Sequence, residues 1–160
     1  MNAGRTTDYT DLLIIEKKKK APPKHHPQDM KFDPIQYPHG ELTDMIIGAA
    51  MAVHRELGPG LDENIYENSL CLEFAANSLD FTQQQVFPVY YRSHFVGKLI
   101  TDLIVDQKVI VENKVVDEIA PVHIAQVLSY LCITKLKVGL ILNFKNVSLG
   151  VKRVANIHLK

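Results

Sequence analysis

Apolar positions first settle into a helical rhythm near residue 42. Ile46, Ala50, Val53 and Leu57 recur at intervals of four, three and four, which predicts an amphipathic helix. Thr43 is placed to cap it, with Leu42 and Ile47 as a hydrophobic staple. The glycines of Gly58-Pro59-Gly60 stop it, and a second helix is predicted from about Asp62 to Asn77. The rhythm then changes. "TQQQVFPVYYR" (82–92), "FVGKLITDLIV" (95–105) and "VIVENKVV" (109–116) read as three strands, Pro88 marking an edge or a bulge in the first. After Pro121 a third helix is predicted over Val122 to Thr134, apolar nearly all round and so expected to be covered on more than one side. "KVGLILNF" (137–144) is a further strand and "GVKRVANI" (150–157) a candidate fifth. The order ααβββαβ(β) predicts an α/β (α+β) fold. A meander of three strands, a crossover helix and a returning strand would form a mixed central β-sheet with flanking helices.

Residues 1–40 carry no such pattern. "EKKKKAPPKHHPQDMKFDPIQYPHG" is rich in Lys, Pro and His, and predicts a disordered or extended arm before one domain over 41–160. "DLLII" (11–15) is a candidate short strand or partner contact, and Lys17–Lys20 a candidate localisation signal or nucleic-acid tether beside its plainer reading as a solvated tail. His25 and His26 have no further ligands at metal spacing and read as tail. The chain balances 18 basic against 18 acidic residues, so no global positive charge advertises nucleic-acid or anionic-membrane binding. The arm holds seven Lys/Arg and five Asp/Glu, and the remainder eleven and thirteen. A domain of net −2 that bound nucleic acid would need a local basic patch, a metal ion, or both. Cys71 and Cys132 lie in apolar runs and are expected to be small buried hydrophobes in a reducing compartment. No segment approaches the roughly 20 apolar residues of a membrane span, and the N-terminus is no secretory signal. The expected location is the cytoplasm, or the nucleus in a eukaryotic host.

Charge inside the apolar strands is the anomaly. Glu112 and Lys114 interrupt a β-branched run, and an uncompensated buried ion costs several kcal/mol. Strand alternation puts both on one face with Ile110 and Val116, and turns Asn113 the other way with Val111 and Val115. The preceding strand carries a single acid, Asp102, between Ile100 and Ile104. If the connecting loop is Asp106–Gln107, Asp102 opposes Val111. If it is Asp106–Lys108, Val105 opposes Val109 and Asp102 opposes Glu112, with Cβ atoms about 5 Å apart. The absence of Asn-Gly favours the longer loop without deciding the matter.

Two helices add polar residues to apolar stripes. Glu63, Tyr66 and Leu70 share one stripe, which Ile65 and Phe74 suggest faces the core, although Glu63 also suits a first-turn carboxylate favoured by the helix dipole. Gln126 and Tyr130 share a face of the third helix, where Gln126 interrupts a stripe of Val122, Ser129 and Ile133. Each residue alone has a plain structural reading. Together they place three carboxylates, a lysine and a glutamine on separate core elements. Clustered carboxylates raise one another's pKa unless a cation lies between them, and oxygen donors suit Mg²⁺ or Mn²⁺.

Asp102 followed by Glu112-Asn113-Lys114 resembles the D…(D/E)-x-K signature of the PD-(D/E)XK nuclease superfamily, in a matching strand–strand–helix–strand context. Gln126-Val-Leu-Ser-Tyr130 resembles the Q-x-x-x-Y motif of its RecB-like branch, and Gly60-Leu-Asp-Glu63-Asn-Ile-Tyr66 the signature of the GxxExxY proteins. The resemblance runs from about Leu42 to the C-terminus. It implies a restriction-endonuclease-like core and a Mg²⁺- or Mn²⁺-dependent nuclease acting on nucleic acid, DNA first. By the same resemblance Glu63, Asp102 and Glu112 would be metal ligands, with the backbone carbonyl of Asn113 a further donor. Lys114 would position the attacking water. Gln126 would support the lysine and Tyr130 the DNA backbone, with Tyr66 and His54 as further supporting residues. Such nucleases often carry an upstream histidine ligand, a role that Glu63 fits here, so His54 reads as a core histidine with its bonds satisfied. Asn113 departs from the apolar residue usual at its position. A homodimer or a larger protein partner is a candidate aid to substrate grip, because the chain is small.

Two other readings compete. One is a catalytically silent nuclease-fold module that binds nucleic acid or protein. The other is a structural Glu112–Lys114 ion pair in a homodimer core. The sequence offers no phosphate-binding G-x-x-x-x-G-K-[ST] loop, no G-x-S-x-G elbow and no cysteine at zinc spacing.

Overall fold

The computed structural model describes residues 37–156. The Lys17–Lys20 run, the 11–15 segment, the His25–His26 pair and all but the last four residues of the expected arm lie outside the described residues.

Among the described residues, three helices and five strands follow in the predicted order: α1 (Gly40–Leu57), α2 (Glu63–Ala76), β1 (Phe81–Tyr91), β2 (His94–Val105), β3 (Val109–Lys114), α3 (Pro121–Thr134), β4 (Val138–Asn143) and β5 (Gly150–Ala155). The strands form one sheet in chain order. The pairs β1–β2, β2–β3 and β4–β5 are antiparallel, and β3–β4 is parallel across the α3 crossover. Odd positions of β2 and β3 and even positions of β4 face α1 and α2 in one core, with Ile46, Ala50, Leu70 and Phe74. The opposite parity, Ile104, Ile110 and Ile141, packs under Ile124, Val127 and Leu131 of α3. Burial on both faces explains why β3 and β4 read as continuous apolar runs rather than alternating ones.

Four local expectations are corrected. Helix α1 starts at Gly40, so Thr43 lies inside it and donates its hydroxyl to the Gly40 carbonyl at 2.8 Å instead of capping. Only Ile124, Val127, Leu128 and Leu131 of α3 are buried, whereas Val122 and Ser129 are exposed. The stripe containing Gln126 is therefore not the core stripe, because α3 meets the sheet on one side only. Ile65 is also exposed, since α2 presents Tyr66, Leu70 and Phe74 inward. Of the cysteines, Cys71 is half-buried and Cys132 exposed, where its sulfur accepts from Asn156 Nδ2 at 3.4 Å.

One glycine sets the height of α3 above the sheet. A Cβ at Gly139 would lie 2.4 Å from Val127 Cγ1, so only glycine lets the helix settle on β4 at this depth.

Candidate active site

The turn between β2 and β3 decides which residues meet. Asp106 and Gln107 both take positive φ (52° and 54°), and the Lys108 N–H closes onto the Val105 carbonyl at 3.0 Å. Lys108 is then an extra residue before pairing resumes, so Val105 opposes Val109, Ile104 opposes Ile110 and Leu103 opposes Val111. This is the longer of the two loops considered above, and continuing the register sets Asp102 opposite Glu112. The paired ladder stops at Leu103–Val111, and there the Asp102 carboxylate takes the place of a strand. Its Oδ2 accepts the Asn113 N–H at 2.9 Å.

Glu112 is 3% exposed. Its Oε1 accepts from Lys114 Nζ at 2.8 Å, and its Oε2 is buried without any hydrogen-bond partner. Burial, and then the charge of Asp102, push its pKa from 4.5 up to about 7 against the opposing pull of Lys114. Burial also raises the Asp102 carboxyl, partly countered by the Asn113 N–H. For Lys114, burial disfavours the ammonium, but the bond to Glu112 and the charges of Glu112, Glu63 and Asp102 outweigh it and raise its pKa. The three groups form one electrostatic unit of two strained carboxylates and one retained cation.

Glu63 reaches this unit from the start of α2. It is exposed, and its Oε1 accepts the Val115 N–H at 3.1 Å, just beyond β3. The Gly60-x-x-Glu63-x-x-Tyr66 stretch has a geometric reason. Tyr66 is fully buried and stacks on Phe144 with centroids 4.2 Å apart. Its hydroxyl donates to the Gly58 carbonyl at 2.6 Å and accepts the Leu61 N–H at 3.0 Å. Gly60, at φ 83°, donates its N–H to the Phe144 carbonyl at 3.0 Å. The turn is thereby pinned, and Glu63 with it, at the exit of β3.

On α3, Gln126 Nε2 donates to the Tyr130 hydroxyl at 2.8 Å. The structure joins these two to each other; among the described residues, no hydrogen bond joins either to Lys114. His54 lies elsewhere, its Nε2 2.9 Å from the Asn146 carbonyl, as a histidine with a local partner.

Sequence reasoning passed over Asn143. Its Oδ1 accepts the Val116 N–H (3.1 Å) and its Nδ2 donates to the Val116 carbonyl (2.7 Å), while the Phe144 N–H donates to the Lys114 carbonyl (2.8 Å). These bonds fix the chain directly after Lys114. The only sequence signal was an asparagine ending an apolar strand. Thr101 and Asn113 were also unexplained: extending the register pairs them on the α2 face, and Thr101 Oγ1 and both polar atoms of the Asn113 side chain are buried without partners.

A model of the PD-(D/E)XK nuclease superfamily matches residues 40–154. The chain belongs to the PD-(D/E)XK nuclease superfamily. Asp102 and Glu112-Asn113-Lys114 lie inside the matched residues, on adjacent antiparallel strands. A solved structure named as the crystal structure of SSO0001 is 16% identical, with a TM-score of 0.49, over 76% of this chain and 60% of that one. The chain thus spans less than two thirds of that structure's length. A search of curated proteins found no match.

Members of the superfamily typically use divalent metal ions. The orphaned Glu112 Oε2 and the two raised carboxylates are what a hard cation would relieve, so these residues fit one. Among the described residues, no three His, Cys, Asp or Glu side chains converge at metal-binding distance. No described helix is long and apolar enough to cross a membrane.

Proposed function

We propose that the protein is a divalent-metal-dependent nuclease that hydrolyses phosphodiester bonds of nucleic acid, DNA foremost. The observation that carries this reading is the buried Glu112 carboxylate, one oxygen bonded to Lys114 and the other bonded to nothing, beside the Asp102 carboxylate. Asp102 and Glu112, with the Asn113 backbone carbonyl, would hold Mg²⁺ or Mn²⁺. Glu63 would add negative potential and reach the ion through its free oxygen or a water. The ion would supply Lewis-acid stabilisation of the phosphate. Lys114 Nζ, held at one Glu112 oxygen, keeps donors for an attacking water and offsets charge developing on the phosphate. The Gln126–Tyr130 pair would contact the nucleic-acid backbone from α3. The pinned Gly60–Tyr66 turn supports placing the protein with the GxxExxY proteins, and the Gln126–Tyr130 pair with the RecB-like branch.

The test is cleavage of single- and double-stranded DNA in Mg²⁺ or Mn²⁺ by wild type, Asp102→Ala and Lys114→Ala proteins checked for folding. We expect cleavage by wild type and a loss of at least a hundredfold in either variant. A wild type that never cleaves, and whose melting temperature no divalent ion raises, would return the protein to the class of silent modules.

A further inference from the structure

We propose that the projecting β1–β2 arm is a grip for single-stranded nucleic acid, in which Tyr90, Tyr91 and Phe95 stack on bases while Arg92 and Lys98 neutralise phosphates. β2 pairs with β3 only over Leu103–Val105, whereas β1 and β2 stay paired out to Tyr91–His94. The stretch from Thr101 back to His94 therefore runs ~23 Å as a two-stranded ribbon without a third strand. Every residue from Tyr90 to Val96 is exposed.

Large apolar groups at such a tip need a partner, and their identity says which kind. Tyr90, Tyr91 and Phe95 are 61%, 62% and 56% exposed. A bulge between Val89 and Tyr90 re-aims the last pairs, so that Tyr90 meets Phe95 edge to face at 6.1 Å. The Arg92 guanidinium lies 5.3 Å over the Tyr91 ring. Arg92 and Ser93 both sit at positive φ (46° and 66°), as a two-residue hairpin turn requires, although Asn-Gly would adopt that turn at lower cost. From Phe81 to Thr101 there is no acidic residue, while Arg92 and Lys98 supply positive charge in a chain that is neutral as a whole. Aromatic platforms beside isolated cations match a single strand, whose bases are free to stack and whose phosphates seek cations. A second copy of this chain would bring the same positive charge to the contact. Asp102 lies at the base of the same strand, so a strand held at the tip leads toward the carboxylates.

The inference rests on the nucleic-acid reading above, and its test separates the two. Full-length protein is titrated in EDTA, where no cleavage occurs, into fluorescein-labelled oligothymidylate and into a duplex of equal length. We expect tighter binding of the single strand. Tyr90→Ala with Phe95→Ala should weaken it about tenfold or more without shifting the melting temperature. Arg92→Ala with Lys98→Ala should lower the slope of log affinity against log salt by about 1.4. The chain contains no tryptophan, so Tyr90→Trp introduces a single reporter whose emission a stacked base should quench. Arm variants that bind like wild type, a preference for duplex, or a wild type that binds neither probe would overturn the arm. So would a dimeric wild type that Tyr90→Ala with Phe95→Ala turns into a monomer. Binding through the arm without any metal-dependent cleavage would keep the arm and remove the nuclease reading.

Discussion

Replacing Glu112 by glutamine separates a metal site from a structural ion pair. In the folded protein Glu112 gives up its proton near pH 7, against 4.5 ordinarily. That gap is worth about 3 kcal/mol. The sign follows from proton counting. Between pH 4.5 and 7 the unfolded chain has released this proton and the folded protein has not, so stability falls as pH rises through that window. Asp102, also raised, acts in the same direction. Lys114 stays charged throughout, since its pKa lies above 10.5. Glu112→Gln deletes the titration and mimics the protonated carboxyl, and the pull of Lys114 on the carboxylate is already contained in the raised pKa. In EDTA at pH 8 the variant should therefore be about 3 kcal/mol more stable than wild type, the whole ionisation gap. At pH 5 the two should lie within about 1 kcal/mol, because Glu112 is then protonated. Urea unfolding followed by far-ultraviolet circular dichroism at both pH values reads this. Adding millimolar Mg²⁺ should raise wild type and leave the variant unmoved. A variant several kcal/mol less stable than wild type at pH 8, with no response of either to Mg²⁺, would refute the reasoning and mark a buried ion pair that holds the fold.

Three further outcomes follow from the packing. Gly139→Ala should cost about 1–3 kcal/mol by driving a methyl into Val127, and Val127→Ala in the same chain should relieve that clash, so the double variant should cost less than the sum of the singles in chemical denaturation. Tyr66→Phe removes the hydroxyl that bridges Gly58 and Leu61, and should cost about 1–3 kcal/mol and loosen the turn bearing Glu63, seen as faster amide exchange at Leu61. Thr101→Val with Asn113→Leu replaces three unpartnered buried polar atoms by methyl groups of the same shape and should raise stability by about 1–3 kcal/mol; because the Asn113 contribution proposed for the ion is a backbone carbonyl, the rise in melting temperature with Mg²⁺ should survive.

What the sequence made legible was the set of elements and their order, because both depend on local periodicity. Its errors lay where facing is decided by distant partners. Val122 and Ser129 looked like a core stripe since α3 is apolar nearly all round, yet the residues the helix buries are Ile124, Val127, Leu128 and Leu131, with Tyr130 partly buried beside them. Thr43 looked like a cap because no local signal shows that the helix begins three residues earlier. The site itself was half legible. Alternation within β3 fixed the common face of Glu112 and Lys114, but the partner on β2 depended on one residue, Lys108, whose insertion after the Asp106–Gln107 turn sets the register.

Glu63 shows why a motif and its chemistry are different kinds of information. In sequence it is equally a first-turn carboxylate of α2 and an acid awaiting an ion. In the fold it accepts the Val115 N–H and acts electrostatically on Glu112, Asp102 and Lys114. Its position depends on Tyr66, which closes the turn between Gly58 and Leu61 and stacks on Phe144. Phe144 in turn bonds the Lys114 carbonyl. The spacing of glycine, glutamate and tyrosine is therefore a mechanical linkage from α2 to the end of β3. It would hold Lys114 in place whether or not Glu63 ever touches a cation. Loss of the Tyr66 hydroxyl should accordingly disturb Lys114 more than Glu63→Gln does, because the amide oxygen of glutamine can still accept the Val115 N–H.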